Sequence, residues 1–238
     1  MNKSKILIGG VLLLSALYFA FQLAGYEALA EKIRCFILPA ITLSYFLSVK
    51  KKSTFFALFL IFYSISDVLY LFSNQIGIEL DYYVGNYLYM LAYTMLLVKI
   101  CKSISLLHVL KNLKIHTFVL LLLNVYVVYV LQNIITQRID YDQNHQYYLE
   151  MSYNVIILLL LSVSLLNYFY RDNKKSLYLF LGSLCIVFSE VINVAYLYVA
   201  KQRLLDFLAL SLTLLAFYFY YHQSKLEDSK RINSFVFE

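Results

Sequence analysis

Two acidic residues, Asp67 and Glu190, lie inside long apolar runs, where an ionisable group is expensive and calls for a function or a partner. Their settings match. Ser66-Asp67-Val68 corresponds to Ser189-Glu190-Val191, and each acid follows a basic cluster at the same interval, Lys51-Lys52-Ser53 in one case and Lys174-Lys175-Ser176 in the other. Hydropathy places no other acid within an apolar span. Two carboxyl groups in one low-dielectric cavity cannot both ionise cheaply, so one of them holds its proton near neutral pH. Such a pair offers an acid and a base together, which suits protonating a leaving oxygen or an electron-rich double bond while water is activated. Spacing leaves a structural alternative equally open, in which Asp67 and Glu190 share a proton and knit two helices together.

Other polar groups fall at the level of the acids. Each acid is about 22 Å along a helix from its basic cluster, in the outer half of a bilayer. Arg34 opens the second span at the outer face, Asn86 and Asn154 stand near the outer ends of spans four and six, and Asn193 is about one turn from Glu190. Tyr93 of span four adds a hydroxyl. These residues are the candidate substrate-binding set around a polar pocket open to the outer leaflet. Arg34 suits a lipid phosphate, a charge partner for Asp67, or plain interfacial snorkelling.

The elements that position them are transmembrane helices. The chain has 238 residues, 62% hydrophobic and 14% charged, far below the charged share of an ordinary soluble domain. Eight spans are expected: 6–23, 33–49, 51–72, 82–98, 116–134, 151–169, 177–199 and 204–221. The N-terminus imitates a signal peptide, but its apolar run exceeds the usual length, so a retained first helix is expected. Pro39, the single proline, sits in span two, and the longest polar connection is 136–147. Most of the 20 lysines and arginines flank alternate connections, which puts both termini in the cytoplasm.

The spans form two tandem four-helix repeats, about 1–110 and 111–224, within one transmembrane domain, followed by a charged tail at 225–238. Ser44-Tyr45-Phe46 precedes Lys51 as Asn167-Tyr168-Phe169 precedes Lys174, and Leu91-Ala92-Tyr93 resembles Leu215-Ala216-Phe217 after a one-residue adjustment. Aligned lysines and acids are harder to obtain by accident than aligned leucines. The expected class is therefore all-α, a polytopic integral membrane protein with both termini inside, and the expected location is a bacterial cytoplasmic membrane.

Several functions lose support. The net charge of +6 is split into short clusters and forms no single basic face, so no nucleic-acid partner is expected. Cys35, Cys101 and Cys185, with His108, His116, His145 and His222, have no metal-ligand spacing, and no metal or other cofactor is expected. No lysine lies deep in a span, which argues against a retinal Schiff base. Serine-hydrolase elbows, zinc-protease pairs and phosphate-cradling glycine loops are missing from the sequence.

The residues resemble the YhhN/TMEM86 family of eight-span membrane proteins, whose characterised animal members are lysoplasmalogenases. Arg34-Cys35-Phe36-Ile37-Leu38-Pro39 is similar to its K-P-L-L-M-P motif without the first proline, and Ser66-Asp67-Val68-Leu69 to its G-D-v-L motif. The stretch from Gly182 to Glu190 resembles G-A-x-x-F-x-x-S-D, with glutamate replacing aspartate. Gly85 to Tyr93 resembles the fourth-span motif, with Tyr93 where the family has histidine. Phe219-Tyr220 and Gln223 resemble the closing Y-Y-x-x-Q. The resemblance implies hydrolysis of a lysoplasmalogen's vinyl-ether bond, with a membrane lysolipid as partner and Asp67 and Glu190 as the catalytic acids. Two other functions fit the residues: a proton-coupled carrier of a small or lipidic solute, and a non-catalytic lipid-binding protein.

Overall fold

The computed structural model describes residues 3–105, 109, 111–136 and 144–226. These are helical, with no strand among them. The eight long helices among the described residues are α1 (Lys3–Leu23), α2 (Glu27–Ser48), α3 (Thr54–Leu69), α4 (Ile78–Cys101), α5 (Lys114–Thr136), α6 (Asn144–Arg171), α7 (Lys174–Tyr198) and α8 (Arg203–Lys225). A 3-10 turn, Tyr70–Phe72, and a short helix, Ser73–Ile76, carry α3 towards α4. Most of the expected 136–147 connection and of the charged tail lies outside the described residues.

Six of the helices are long and apolar enough to cross a membrane: α3 with its 3-10 turn, and α4 through α8. That is the span set of a helical integral membrane protein. The described apolar part of α1, Gly9–Leu23, is shorter. In α2 the first turns carry Glu27, Glu31, Lys32 and Arg34, which confines its apolar part to the remainder of the helix.

The chain divides into two compact units, Met1–Leu96 and Leu97–Glu238, with the boundary inside α4. In the first unit α1 packs on α2 and α2 on α3. Ser15, Tyr18 and Gln22, one helical face of α1, are buried. Pro39 removes one ladder bond inside α2. Beyond it, Thr42 joins α3 twice, through the Ser64 hydroxyl at 2.7 Å and the Leu60 carbonyl at 3.3 Å. The Tyr45 hydroxyl accepts the N–H of Ser53, where α3 starts, at 3.1 Å.

In the second unit α6 packs on α5 and α7, and α7 packs on α8 and the end of α5. Asn173 starts α7 with a capping box, its side chain accepting the Ser176 N–H at 2.8 Å. The Arg171 guanidinium donates to the Ser103 carbonyl, and Ser103 donates to buried Asn167 at 3.1 Å. Ser162 of α6 donates to Asn124 of α5 at 3.0 Å. Gly182 lets α8 come close: a Cβ there would stand 2.5 Å from the buried ring of Tyr220. With few charges available inside, hydroxyl and amide bonds tie the helices where apolar surface alone gives no specific partner.

Candidate functional site

In the first unit the site grows from the face that α3 and α4 share. Phe59, Tyr63 and Ser66–Asp67 recur at helical spacing along α3, as Gly85, Tyr89 and Tyr93 do along α4. The Ser66 hydroxyl donates to the Gly85 carbonyl at 3.0 Å. One turn further along α4, the Tyr89 hydroxyl donates to Asp67 Oδ1 at 2.5 Å. The Tyr63 ring packs edge-on against Tyr89 with centroids 4.8 Å apart, and against Tyr93 at 5.9 Å. Asp67 is thus a half-buried carboxylate oriented by a tyrosine that is itself clamped by a second aromatic ring.

The start of α2 adds charge to the same region. Arg34 pairs with Glu31 at 3.7 Å, both side chains partly exposed. The charges of Asp67, Arg34 and Glu31 all act on the Cys35 thiol, and those of Asp67 and Arg34 on Tyr89. Arg34 and Asp67 therefore share one electrostatic neighbourhood. Asn86, next to Gly85, donates to the Tyr82 carbonyl of its own helix at 2.9 Å. Tyr93 is 0% exposed, with Phe59 and Tyr63 packed on its ring, so it buttresses the tyrosine layer.

In the second unit Glu190 and Asn193 are half-buried on α7. Neighbouring Ser189 donates to the Ala209 carbonyl of α8 at 2.8 Å and meets the Thr213 hydroxyl at 2.7 Å. Asn154 is 0% exposed, and neither its Oδ1 nor its Nδ2 has a hydrogen-bond partner. Buried Gln132 of α5 donates through Nε2 to the Tyr147 carbonyl at 3.1 Å, while its Oε1 has no partner. One turn before Asn154, Glu150 is buried at 8% exposure and accepts from the Tyr198 hydroxyl at 3.1 Å. Each buried polar group costs about 1–3 kcal/mol unless a water or a ligand answers it, so these amides are places where a bound polar group would be stabilised.

The structure corrects one expectation. Asp67 and Glu190 are not the only acids in membrane-length helices: Glu150 and Asp206 lie in α6 and α8 and are more deeply buried, Asp206 at 2% exposure. Hydropathy places the start of span six at Met151, but α6 begins at Asn144 and carries Glu150 into the packed region. Asp206 already falls inside the expected span 204–221, where the sequence reading overlooked it, and it sits in the first turn of α8, where peptide dipoles favour a negative charge.

Sequence reading brought Asp67 and Arg34 into one neighbourhood but passed over Tyr89 as the carboxylate's partner and missed Glu150, Gln132 and Tyr198. A signal for Glu150 was present: it stands one turn from Asn154 on one face of α6. Asp67 and Glu190 belong to different units. Among the described residues no group of three or more histidine, cysteine or acidic side chains is placed to hold a metal ion.

No protein-family model matches the chain, nor does any curated protein or solved structure.

Proposed function

We propose that the chain is an eight-span membrane hydrolase of the lysoplasmalogenase type, cleaving the vinyl-ether bond of a single-chain phospholipid. Its helices form two tandem four-helix repeats with both termini on the cytoplasmic side, in a bacterial cytoplasmic membrane. The observation that carries the chemistry is the Tyr89–Asp67 bond beside the positive charge of Arg34. A hydroxyl donating to Asp67 fixes the direction of its remaining lone pairs. Asp67 is then the base that guides water, and Glu190 supplies the proton.

The reaction balances with these two groups. Glu190 protonates the outer carbon of the C=C–O unit, leaving an oxocarbenium ion. Water, losing a proton to Asp67, attacks the carbon bonded to oxygen. The hemiacetal collapses to a fatty aldehyde and the glycerol hydroxyl, and the proton on Asp67 returns to the medium as Glu190 is reprotonated. Arg34 receives the phosphate, a task suited to a guanidinium at an interface. Asn86 stands for the polar contact beside Asp67 and Asn193 for that beside Glu190, while Tyr93 backs Tyr63 in the first unit.

Purified protein in detergent should release aldehyde from a vinyl-ether lysolipid, with near-complete loss in Asp67→Asn and Glu190→Gln while both variants keep their melting behaviour. Full turnover in either variant refutes the assignment.

A second reading, a proton-coupled carrier, draws on the tandem organisation. The register that pairs Ser66 with Ser189 and Tyr93 with Phe217 also pairs Gly85 with Ala209, and the serine-to-carbonyl bond recurs at both places. Repeats of one orientation are common in transporters. Solute uptake into proteoliposomes that collapses with the proton gradient, without aldehyde release, would replace the hydrolase by the carrier.

A further inference from the structure

The geometry points to a second ligand site, for a protonated primary amine, at the end of the second unit where α5, α6 and α7 converge. Four observations locate it. Gln132 Nε2 is anchored on the Tyr147 carbonyl, which sets the amide of α5 against the first turns of α6 and leaves Oε1 buried and unpartnered. Tyr198 of α7 bonds Glu150, which sets the end of α7 at the same level. Around them Leu131 and Ile135 of α5 pack on Val194 of α7, closing the cluster on its apolar side. Asn154 is one turn, about 5 Å, deeper along α6, buried with both polar atoms unpartnered.

The chemistry of this set is unequal. Gln132 Oε1, Asn154 Oδ1 and the Glu150 carboxylate are acceptors, and Tyr198 already spends its proton on Glu150. A primary ammonium presents three N–H donors and no acceptor, so it answers three acceptors of which one is an acid. Asn154 Nδ2 is left to donate to an oxygen on the ligand a few bonds from its nitrogen. That pattern describes an aminoalcohol or an aminoethyl phosphate, either free or as a lipid headgroup. A quaternary ammonium has the charge but no N–H, and leaves the amide oxygens unsatisfied.

Glu150 also matches Asp67 in one respect. Both are carboxylates held by a tyrosine from a neighbouring helix. Where the repeat register places Tyr89 in the first unit, the second has Thr213, which meets Ser189. Glu150 is a tyrosine-held acid of the second unit, on the same helix as unpartnered Asn154.

The test is binding to the full chain in detergent, followed by native mass spectrometry and thermal shift. The probes are free ethanolamine, a saturated single-chain phospholipid with an aminoethyl headgroup, its trimethylated counterpart, and sodium chloride. Free ethanolamine or the aminoethyl lipid should bind, the lipid alone identifying a headgroup as the source, with the trimethylated lipid at least tenfold weaker. Asn154→Leu and Gln132→Leu should each weaken the amine at least tenfold; the second variant serves if the first does not fold. Equal binding of the trimethylated lipid, a full shift from sodium alone, or undiminished amine binding in the folded variants would overturn the site. The saturated probe has no vinyl ether, so the result stands apart from the fate of the hydrolase.

Discussion

Replacing Gly182 with alanine tests the packing of α7 against α8. The new Cβ would stand 2.5 and 2.6 Å from Tyr220 Cε1 and Cδ1 and 3.0 Å from Cζ, so the ring face must move. Tyr220 has little room, because it is fully buried, packs edge-on against Phe217 at 6.0 Å, and donates to Ser183 at 3.3 Å. Overpacking of this kind costs about 1–3 kcal/mol, and losing the hydroxyl bond adds about 0.5–1.5 kcal/mol. At roughly 2–4 °C per kcal/mol for a chain of this size, Gly182→Ala should melt roughly 5–15 °C lower. A thiol-reactive dye suits the assay, since Cys35, Cys101 and Cys185 are free and become accessible on unfolding. Adding Tyr220→Leu should recover part of the loss, because it removes the ring atoms that the new Cβ meets. An unchanged melting temperature in Gly182→Ala, or a double variant as unstable as the sum of the singles, would refute the packing argument.

Three further outcomes follow from single bonds. Tyr89→Phe removes the donor to Asp67, a charge-assisted bond of about 1.5–3 kcal/mol, and should lower aldehyde release about 10- to 150-fold in a protein that still folds, as steady-state kinetics would report. In ligand-free protein, Asn154→Leu should raise stability by about 1–3 kcal/mol, since two unpartnered buried atoms are replaced by an apolar side chain; denaturation that shows a loss of similar size would contradict the orphaned geometry. Ser66→Ala and Ser189→Ala each delete the matching serine-to-carbonyl bond and should destabilise by similar amounts, about 0.5–1.5 kcal/mol each, whereas a loss confined to one of them would show that the two bonds do unequal work.

The charged residues around the acids show where sequence reading succeeds and stops. Asp67 and Arg34 are far apart in the chain, yet both were assigned to one level because helical rise converts residue number into depth. Tyr89 was visible as one of several tyrosines in α4, but spacing cannot say which hydroxyl faces α3. That choice depends on how the two helices are rotated about their axes, and Ser66 approaching Gly85 sets the rotation. Glu150 failed for a different reason. Hydropathy averages over a window and closes a span where polar residues begin, while the backbone continues α6 back to Asn144 because its own hydrogen bonds demand it.

Composition and apolar run length by themselves determined that this chain is all-helical and built for a membrane, since a bilayer admits only segments that satisfy their backbone internally. Tertiary structure decided which polar groups meet: Asp67 with Tyr89, Glu150 with Tyr198, and Asn154 with no partner at all. Those choices rest on the rotation and close approach of neighbouring helices, which side-chain volumes such as Gly182 against Tyr220 set, and which no periodicity along one strand of sequence encodes.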